Sequence, residues 1–535
     1  MVLNFLSPAL AWPNTLPSTL SSSLTFTVCG AAIFFLSWLA SKALSSPARN
    51  LPYPPGPPPK DFISGNAREL SESKLWFPMA DWAAKYGITL LGPIMHLRSF
   101  NTHMVVLNSF DDAMEILEKR SNNYSDRPYV PMIEMVGWTF TTAFKRYGPD
   151  WHAHRRLMHQ TFRPAASVEY RPTQVEKVND MLHCMLETPE DYMAHIKTLA
   201  ASIVMSAMYG YKVSPKNDYF TELAEAGMSV LSNAFYPGAA VVNILPILRY
   251  LPAWFPGTDF HRVGKEGLVT ITKMQDVPYK YVRDNIAAGT ASPCFVTAVF
   301  ESCKTEEEHT LLKEIAATGY AAGADTTVSS LGTFMYAMAM FPEVQKKAQE
   351  ELDRVIGQDR LVNYDDEHSL PYIQALVREV FRWRPVLPLG VFHSSVAEDV
   401  FKGYYIPKGT SIVANVWAIT RDPVRYPNPE EFNPDRFFVD ENTLNKDDMT
   451  YTFGFGRRVC PGRHLATATV WLSMATILMA FDIRPPKDAS GKDIALDVEY
   501  TGGLISHPKP FKCSLTPRSD RMRQLIVDLK NSSSL

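Results

Sequence analysis

The chain has 535 residues, 46% hydrophobic and 20% charged, with 53 basic against 56 acidic side chains. That composition supports a large core and excludes a disordered or collagen-like chain, and its balanced charge offers no field to draw in nucleic acid. Length alone suggests about three or four domains. The six cysteines, at positions 29, 184, 294, 303, 460 and 513, show no Cys-x-x-Cys spacing, which leaves a disulfide scaffold, a zinc ribbon or an iron–sulfur run unsupported.

No charged side chain precedes Lys42, and Leu24–Ala40 is apolar apart from Thr25, Thr27 and Ser37. As a helix those residues span roughly 25 Å, slightly short of a hydrocarbon core of about 30 Å, and uncharged Leu20–Ser23 can extend them. Lys42, Arg49 and Lys60 follow the run, so the expectation is one transmembrane anchor at about 20–40 with the body on the cytosolic side. A cleaved signal peptide is the alternative, but the basic segment that normally precedes its apolar run is missing. The segment Pro52–Pro59 (PYPPGPPP) then reads as a stiff hinge; a proline-rich ligand for a recognition module is the other reading.

Further along, short strand-like pieces fall at Ile94–Leu97, Met104–Leu107, Gly403–Ile406 and Ser411–Val413. Helical patterns dominate: Asp111–Arg120, Val175–Glu187, His195–Tyr209, Asp218–Ala234, Gly264–Asn285, Glu306–Phe341, Pro342–Ile356, Ser369–Arg384 and His464–Phe481. Glu306–Phe341 is rich in Ala, Leu, Met and Thr, as a buried central helix is, whereas Pro342–Ile356 carries the charges of an exposed one. The body reads as mainly α with a minor β-sheet.

Cys460 stands apart from the other cysteines. It lies in the Gly-rich stretch Phe453–Gly462 (FGFGRRVCPG), just before a helical pattern, with Arg458 two residues earlier. A tight turn directing N–H groups and a helix N-terminus favour a thiolate, and Arg458 supplies a fixed cation nearby for a carboxylate or phosphate. For a lone cysteine an inert buried thiol remains the bland reading.

The stretch resembles the haem-binding loop of the cytochrome P450 family, Phe-x-x-Gly-x-Arg-x-Cys-x-Gly, at Phe453, Gly456, Arg458, Cys460 and Gly462. Four other places agree, in the family's order. Trp151 and Arg155 match Trp-x-x-x-Arg, with one helix face carrying both. Ala322–Thr327 (AGADTT) resembles the oxygen-activation segment, with Gly323 read as allowing a flat ligand close to the helix. Glu379 and Arg382 match Glu-x-x-Arg, and Pro434–Phe437 supplies Arg436. His393 follows the apolar run Pro385–Phe392. Taken alone, several of these are ordinary surface pairs or helix crossings. His152 and His154 read as surface residues and His464 as solvent-facing.

The resemblance implies a P450 fold with haem b, its iron held by Cys460 as axial thiolate. Trp151, Arg155, His393 and Arg458 would hold the propionates, Phe453 and Gly462 of the loop would bind the cofactor as well, and Asp325 and Thr326 would manage protons. Glu379, Arg382 and Arg436 would form a structural network. It further implies a monooxygenase of the endoplasmic reticulum membrane that takes electrons from NADPH–cytochrome P450 reductase, with cytochrome b5 as a second donor. The organisation expected is 1–41 as the uncharged anchor segment, 42–60 as the basic, proline-rich hinge and 61–535 as the haem-thiolate domain. A haem-thiolate isomerase or dehydratase is the enzymatic rival, against which Asp325 and Thr326 argue; a haem carrier or sensor is the rival from another class. Pocket segments implied by the family carry Met132, Ile133, Met135, Val136, Trp138, Phe140, Leu387, Leu389, Val391, Phe392, Leu504 and Ile505, which suits an apolar small molecule. A basic patch at Arg457 and Arg463 would face the reductase.

Overall fold

The computed structural model describes residues 47–71, 73–86, 94–235 and 240–533. The expected anchor, Leu24–Ala40, lies outside these residues; among the described residues no helix is long and apolar enough to cross a membrane. Two compact units emerge: Met1–Tyr53 with Asp399–Tyr405, and Pro54–Glu398 with Ile406–Leu535. Within the described part of the first, the Tyr405 N–H donates to the Pro52 carbonyl at 2.9 Å, and the Tyr53 and Tyr405 rings lie 6.0 Å apart.

The second unit is built from long helices: α1 (Trp76–Tyr86), α2 (Pro149–Phe162), α3 (Arg171–Glu187), α4 (Tyr192–Tyr209), α5 (Tyr219–Ala234), α6 (Phe260–Ala288), α7 (Glu306–Met340), α8 (Pro342–Val355), α9 (Pro371–Trp383), α10 (Arg463–Ala480) and α11 (Asp520–Ser533). A sheet runs in the order β1 (Ile94–Ser99), β2 (Thr102–Leu107), β4 (Ser411–Ala414), β3 (His393–Ser394), and β5 (Phe481–Arg484) pairs with β6 (Ser514–Pro517). The antiparallel β3–β4 pairing sets His393 opposite Ile412 and so fixes where the histidine sits.

The central helix α7 starts on a capping box: the Glu308 N–H donates to Thr305 Oγ1 at 3.3 Å and the Thr305 N–H to Glu308 Oε2 at 3.2 Å. Glu306, Glu307 and Glu308 in its first turn complement the helix dipole. The helix is buried on α4, and at Gly323 the two lie in tight contact. A Cβ built there would stand 2.8 Å from Val204 Cγ2. This corrects the reading of Gly323: its missing side chain serves the α4–α7 crossing.

The helix expected over Asp111–Arg120 divides. Phe110–Ala113 is α-helical and Met114–Lys119 is a π-turn, in which the Arg120 N–H reaches the Glu115 carbonyl at 3.1 Å. A helical hydrophobic pattern does not distinguish the two. The wider turn has a purpose in packing, since it sets Leu117 and Glu118 against the cysteine loop.

Candidate haem site

The cysteine loop owes its shape to two glycines with positive φ, Gly454 at 95° and Gly456 at 56°. At Gly456 a Cβ would stand 2.2 Å from the Leu117 carbonyl oxygen of the π-turn, so only glycine fits, and its N–H donates to Glu118 Oε2 at 2.6 Å. The Cys460 N–H closes the loop on the Phe453 carbonyl at 2.9 Å. The Phe453 ring meets Phe381 of α9 edge-on at 5.4 Å. Burial pushes the Cys460 thiol up in pKa, while the Gly462 N–H and the Arg155 and Arg463 guanidinium groups pull it down.

Trp151 and Arg155 stand one turn apart on α2, both against this loop. Arg155 Nη1 donates to the Val459 carbonyl at 2.6 Å, and the Trp151 ring lies under the Arg458 guanidinium at 4.3 Å. Arg458 also donates to the carbonyls of Ser125 at 2.7 Å, Thr142 at 3.2 Å and Lys145 at 2.9 Å. His393 donates from Nδ1 to the Tyr124 carbonyl at 2.7 Å. The segment Tyr124–Arg127 is thus a hub, and it presents a residue that sequence reasoning missed. Arg127 is buried, with Nε on the Ala143 carbonyl and Nη1 on those of Val391 and Phe392, each at 2.7 Å.

This cluster is short of negative charge. Burial pushes Arg127 and His393 well below their ordinary pKa values and Arg458 down to about 10; Arg458 also acts on Arg127, and both arginines act on His393. Asp126 is the carboxylate that relieves Arg127 and Arg458, yet it already accepts from Arg146 Nε at 2.9 Å and the Tyr147 N–H at 2.8 Å. Converging buried cations that compete for one committed carboxylate are what a dianionic ligand would satisfy.

Two windows interrupt otherwise buried helices. Ala322 is exposed and Gly323–Thr326 half-buried in the middle of α7; Cys460 through Ala468, leading into α10, is half-buried as well, before α10 becomes fully buried from Thr469. A Cβ built at Gly462 meets no atom of the chain within 4 Å. The thiol, the two windows and the cation cluster together fit a flat, dianionic, metal-bearing group.

A model of the family described as cytochrome P450 matches residues 54–515. This chain belongs to the cytochrome P450 family. A cytochrome P450 monooxygenase of Armillaria gallica is 38% identical to it over 503 residues, covering 93% of this chain and 97% of the relative. One of Coprinopsis cinerea is 38% identical over 512 residues, with 92% and 96% covered, and one of Rhodocybe pseudopiperita is 37% identical over 518, with 95% and 97% covered. The protein is therefore a monooxygenase-type oxidoreductase, and the haem with cysteine thiolate ligand typical of the family is its cofactor.

The remaining residues of this P450 fall into three groups. Glu379, Arg382 and Arg436 form one buried network. Arg382 Nε and Nη2 hold the Glu379 oxygens at 2.6 and 2.8 Å, with both side chains 0% exposed, and Arg436 Nε adds a contact at 3.3 Å. Asp325 and Thr326 are adjacent in the α7 window, but their side chains turn to different partners. The Thr326 hydroxyl donates to the Ala322 carbonyl at 2.8 Å, whereas Asp325 Oδ2 lies 3.2 Å from His507 Nε2.

Two histidines depart from the surface positions expected of them. His154 is fully buried: its Nε2–H donates to Glu314 Oε2 at 3.1 Å and its Nδ1 accepts from the Thr142 hydroxyl at 3.0 Å, tying α2 to α7. His464 keeps Nε2 buried without a hydrogen-bond partner. Met132, Val136 and Trp138, placed in the pocket from sequence, are packed core. A cavity of about 440 Å³ is lined by Ile133, Val391 and Phe392 of the expected set together with Tyr129, Val130 and Phe144, and Arg127, Glu134, Lys145, Arg146 and Asp150 stand on its wall.

Proposed function

We propose that this protein inserts one atom of dioxygen into an apolar small molecule, such as a terpenoid, steroid, fatty acid or polycyclic aromatic, in secondary or xenobiotic metabolism. The other oxygen atom leaves as water, with two electrons and two protons supplied. The electrons come from NADPH through a separate reductase, with cytochrome b5 as a further donor. The observation that carries the reading is the buried cation cluster beside Cys460.

When bound, haem supplies the oxidative chemistry, and its thiolate ligand favours O–O cleavage, as is general among P450s. Cys460 holds the iron. Trp151, Arg155, Arg458, His393 and the buried Arg127 hold the propionates. His393 has its Nδ1–H committed to Tyr124, so a propionate at Nε2 requires the protonated ring, and the propionate brings the charge that favours it. Phe453 and Gly462 shape the loop. Glu379, Arg382 and Arg436 brace it through Phe381, which shares α9 with Glu379 and Arg382. Thr326 and Asp325, in the α7 window, would move protons. One part of the 440 Å³ cavity, lined by Val130, Ile133, Phe144, Phe235, Val391 and Phe392, suits an apolar substrate, while Arg127, Glu134, Lys145, Arg146 and Asp150 make the rest of its wall charged.

The membrane reading, an endoplasmic reticulum anchor with a cytosolic body, is supported by the uncharged N-terminal run. It is supported further by Ile247, Tyr250 and Trp254, which lie between α5 and α6 and are 69%, 77% and 80% exposed. Arg457, exposed beside the loop, and Arg463 suit an acidic electron donor.

The test is to express the full chain in membranes with an NADPH reductase, supply a panel of terpenoids and aromatics, and analyse products by mass spectrometry. Products one oxygen heavier that depend on NADPH are expected. Rearranged products formed without NADPH would favour the isomerase class instead.

A further inference from the structure

The C-terminal segment Thr501–Pro508 folds back on α7, and three side-chain contacts fasten it and its neighbour Tyr500 there. Ser329 Oγ donates to the Ser506 carbonyl at 2.6 Å, Thr333 Oγ1 lies 3.1 Å from the Tyr500 hydroxyl, and His507 Nε2 lies 3.2 Å from Asp325 Oδ2. The turn itself is closed by the Thr501 N–H on the His507 carbonyl at 2.8 Å and the His507 N–H on Thr501 Oγ1 at 2.9 Å. His507 is therefore held from both sides of its own hairpin and delivered to one carboxylate. Neither side chain is sealed: His507 is 24% and Asp325 27% exposed.

We propose that His507 positions the Asp325 carboxylate and supplies it with protons. The carboxylate can only accept, so His507 meets it as an Nε2–H donor, and the pair fixes the rotamer of Asp325 beside Thr326. An imidazole can also take a proton from water at Nδ1 while releasing the one on Nε2 to Asp325 Oδ2; loss of the Nδ1 proton to water and return of a proton to Nε2 restores the ring. No bond other than N–H and O–H changes, and water is the proton source. A glutamine at this place would keep an N–H donor for Asp325 but has no second titrating nitrogen. This inference rests on the reading that Asp325 and Thr326 deliver protons.

The experiment uses the haem-loaded full chain with His507→Ala, His507→Gln and Asp325→Asn. Two quantities are measured: the C–O stretching frequency of carbon monoxide on the reduced protein, which senses polar groups near Thr326, and reductase-driven NADPH oxidation in H2O and D2O. His507→Ala is expected to shift the stretch, slow NADPH oxidation by about tenfold, less than the loss of a directly acting acid or base, and enlarge the solvent isotope effect. His507→Gln is expected to restore the stretch and leave the slow rate. If Gln restores both, or Ala changes neither, His507 carries no protons and the proposal fails. If Asp325→Asn changes neither quantity, the underlying proton-delivery reading fails instead. If His507→Ala does not retain haem, the Gln and Asn variants carry the same comparison.

Discussion

The Arg458 guanidinium lies 4.3 Å from the centre of the Trp151 ring while donating to three backbone carbonyls, two residues before the cysteine that would hold iron. A planar fork stacked on an aromatic face cannot be matched by an ammonium. Arg458→Lys and Arg458→Ala should both lower the haem-to-protein ratio after gel filtration, Ala more severely. Trp151→Phe, which keeps a ring under the cation, should retain most of the haem. Full retention in Arg458→Ala would show that the cluster does not hold the cofactor.

Glu379→Gln should be the most destabilising change in the Glu379–Arg382–Arg436 network. It leaves the Arg382 charge buried at 0% exposure with carbonyl partners only, which costs about 3–5 kcal/mol. Arg436→Lys should cost less, since Arg436 holds Glu379 at 3.3 Å and spends its other donors on the carbonyls of Pro427, Asn428 and Glu431. Denaturant midpoints of the two haem-loaded variants give the ranking; equal midpoints would contradict it.

Gly456→Ala places a methyl where the Leu117 carbonyl already stands, on a backbone with φ of 56°. The loop must shift, so the thiolate-type Soret band of the reduced, CO-bound protein should be lost or strongly reduced. Cys460→Ser should abolish the band outright and Cys303→Ser should leave it. A normal band in Gly456→Ala would mean that the π-turn yields.

His154 should contribute to acid lability. Burial lowers its folded-state pKa below the ordinary 6.5, only partly offset by Glu314. The unfolded ring therefore binds a proton that the folded ring refuses, so its stabilising contribution is complete above pH 6.5 and declines as pH falls below it. The decline approaches a limit of about 1.4 kcal/mol per pH unit for one group. His154→Gln, which can still donate to Glu314 and accept from Thr142, should flatten the fall in unfolding free energy between about pH 7 and pH 5. An unchanged slope would place the acid sensitivity elsewhere.

What is legible in the chain alone is local. Phe453–Gly462 is contiguous, Trp151 and Arg155 lie four apart, Glu379 and Arg382 three apart, and the helical periods of α3 to α10 are carried by their own residues. The partners that complete the site are distant. His154 finds Glu314 across 160 positions and Asp325 finds His507 across 182, and nothing near either residue announces the other. Arg127 belongs to no periodic pattern and becomes a cofactor candidate only when Tyr124–Arg127 is seen to gather His393 and Arg458. Gly323 departs from its expected role for the same reason: a missing side chain shows its purpose only when the neighbour filling that space is known.

The contact between Gly323 and Val204 makes one volume the shared property of two helices. Bulk can be moved across that boundary but not added to it: Gly323→Ala alone overfills it, whereas an accompanying Val204→Ala returns the space. What constrains this crossing is the sum of the two side chains, so a change at either position is conditional on the other, and the setting of Thr326, three residues farther along α7, is inherited from that sum.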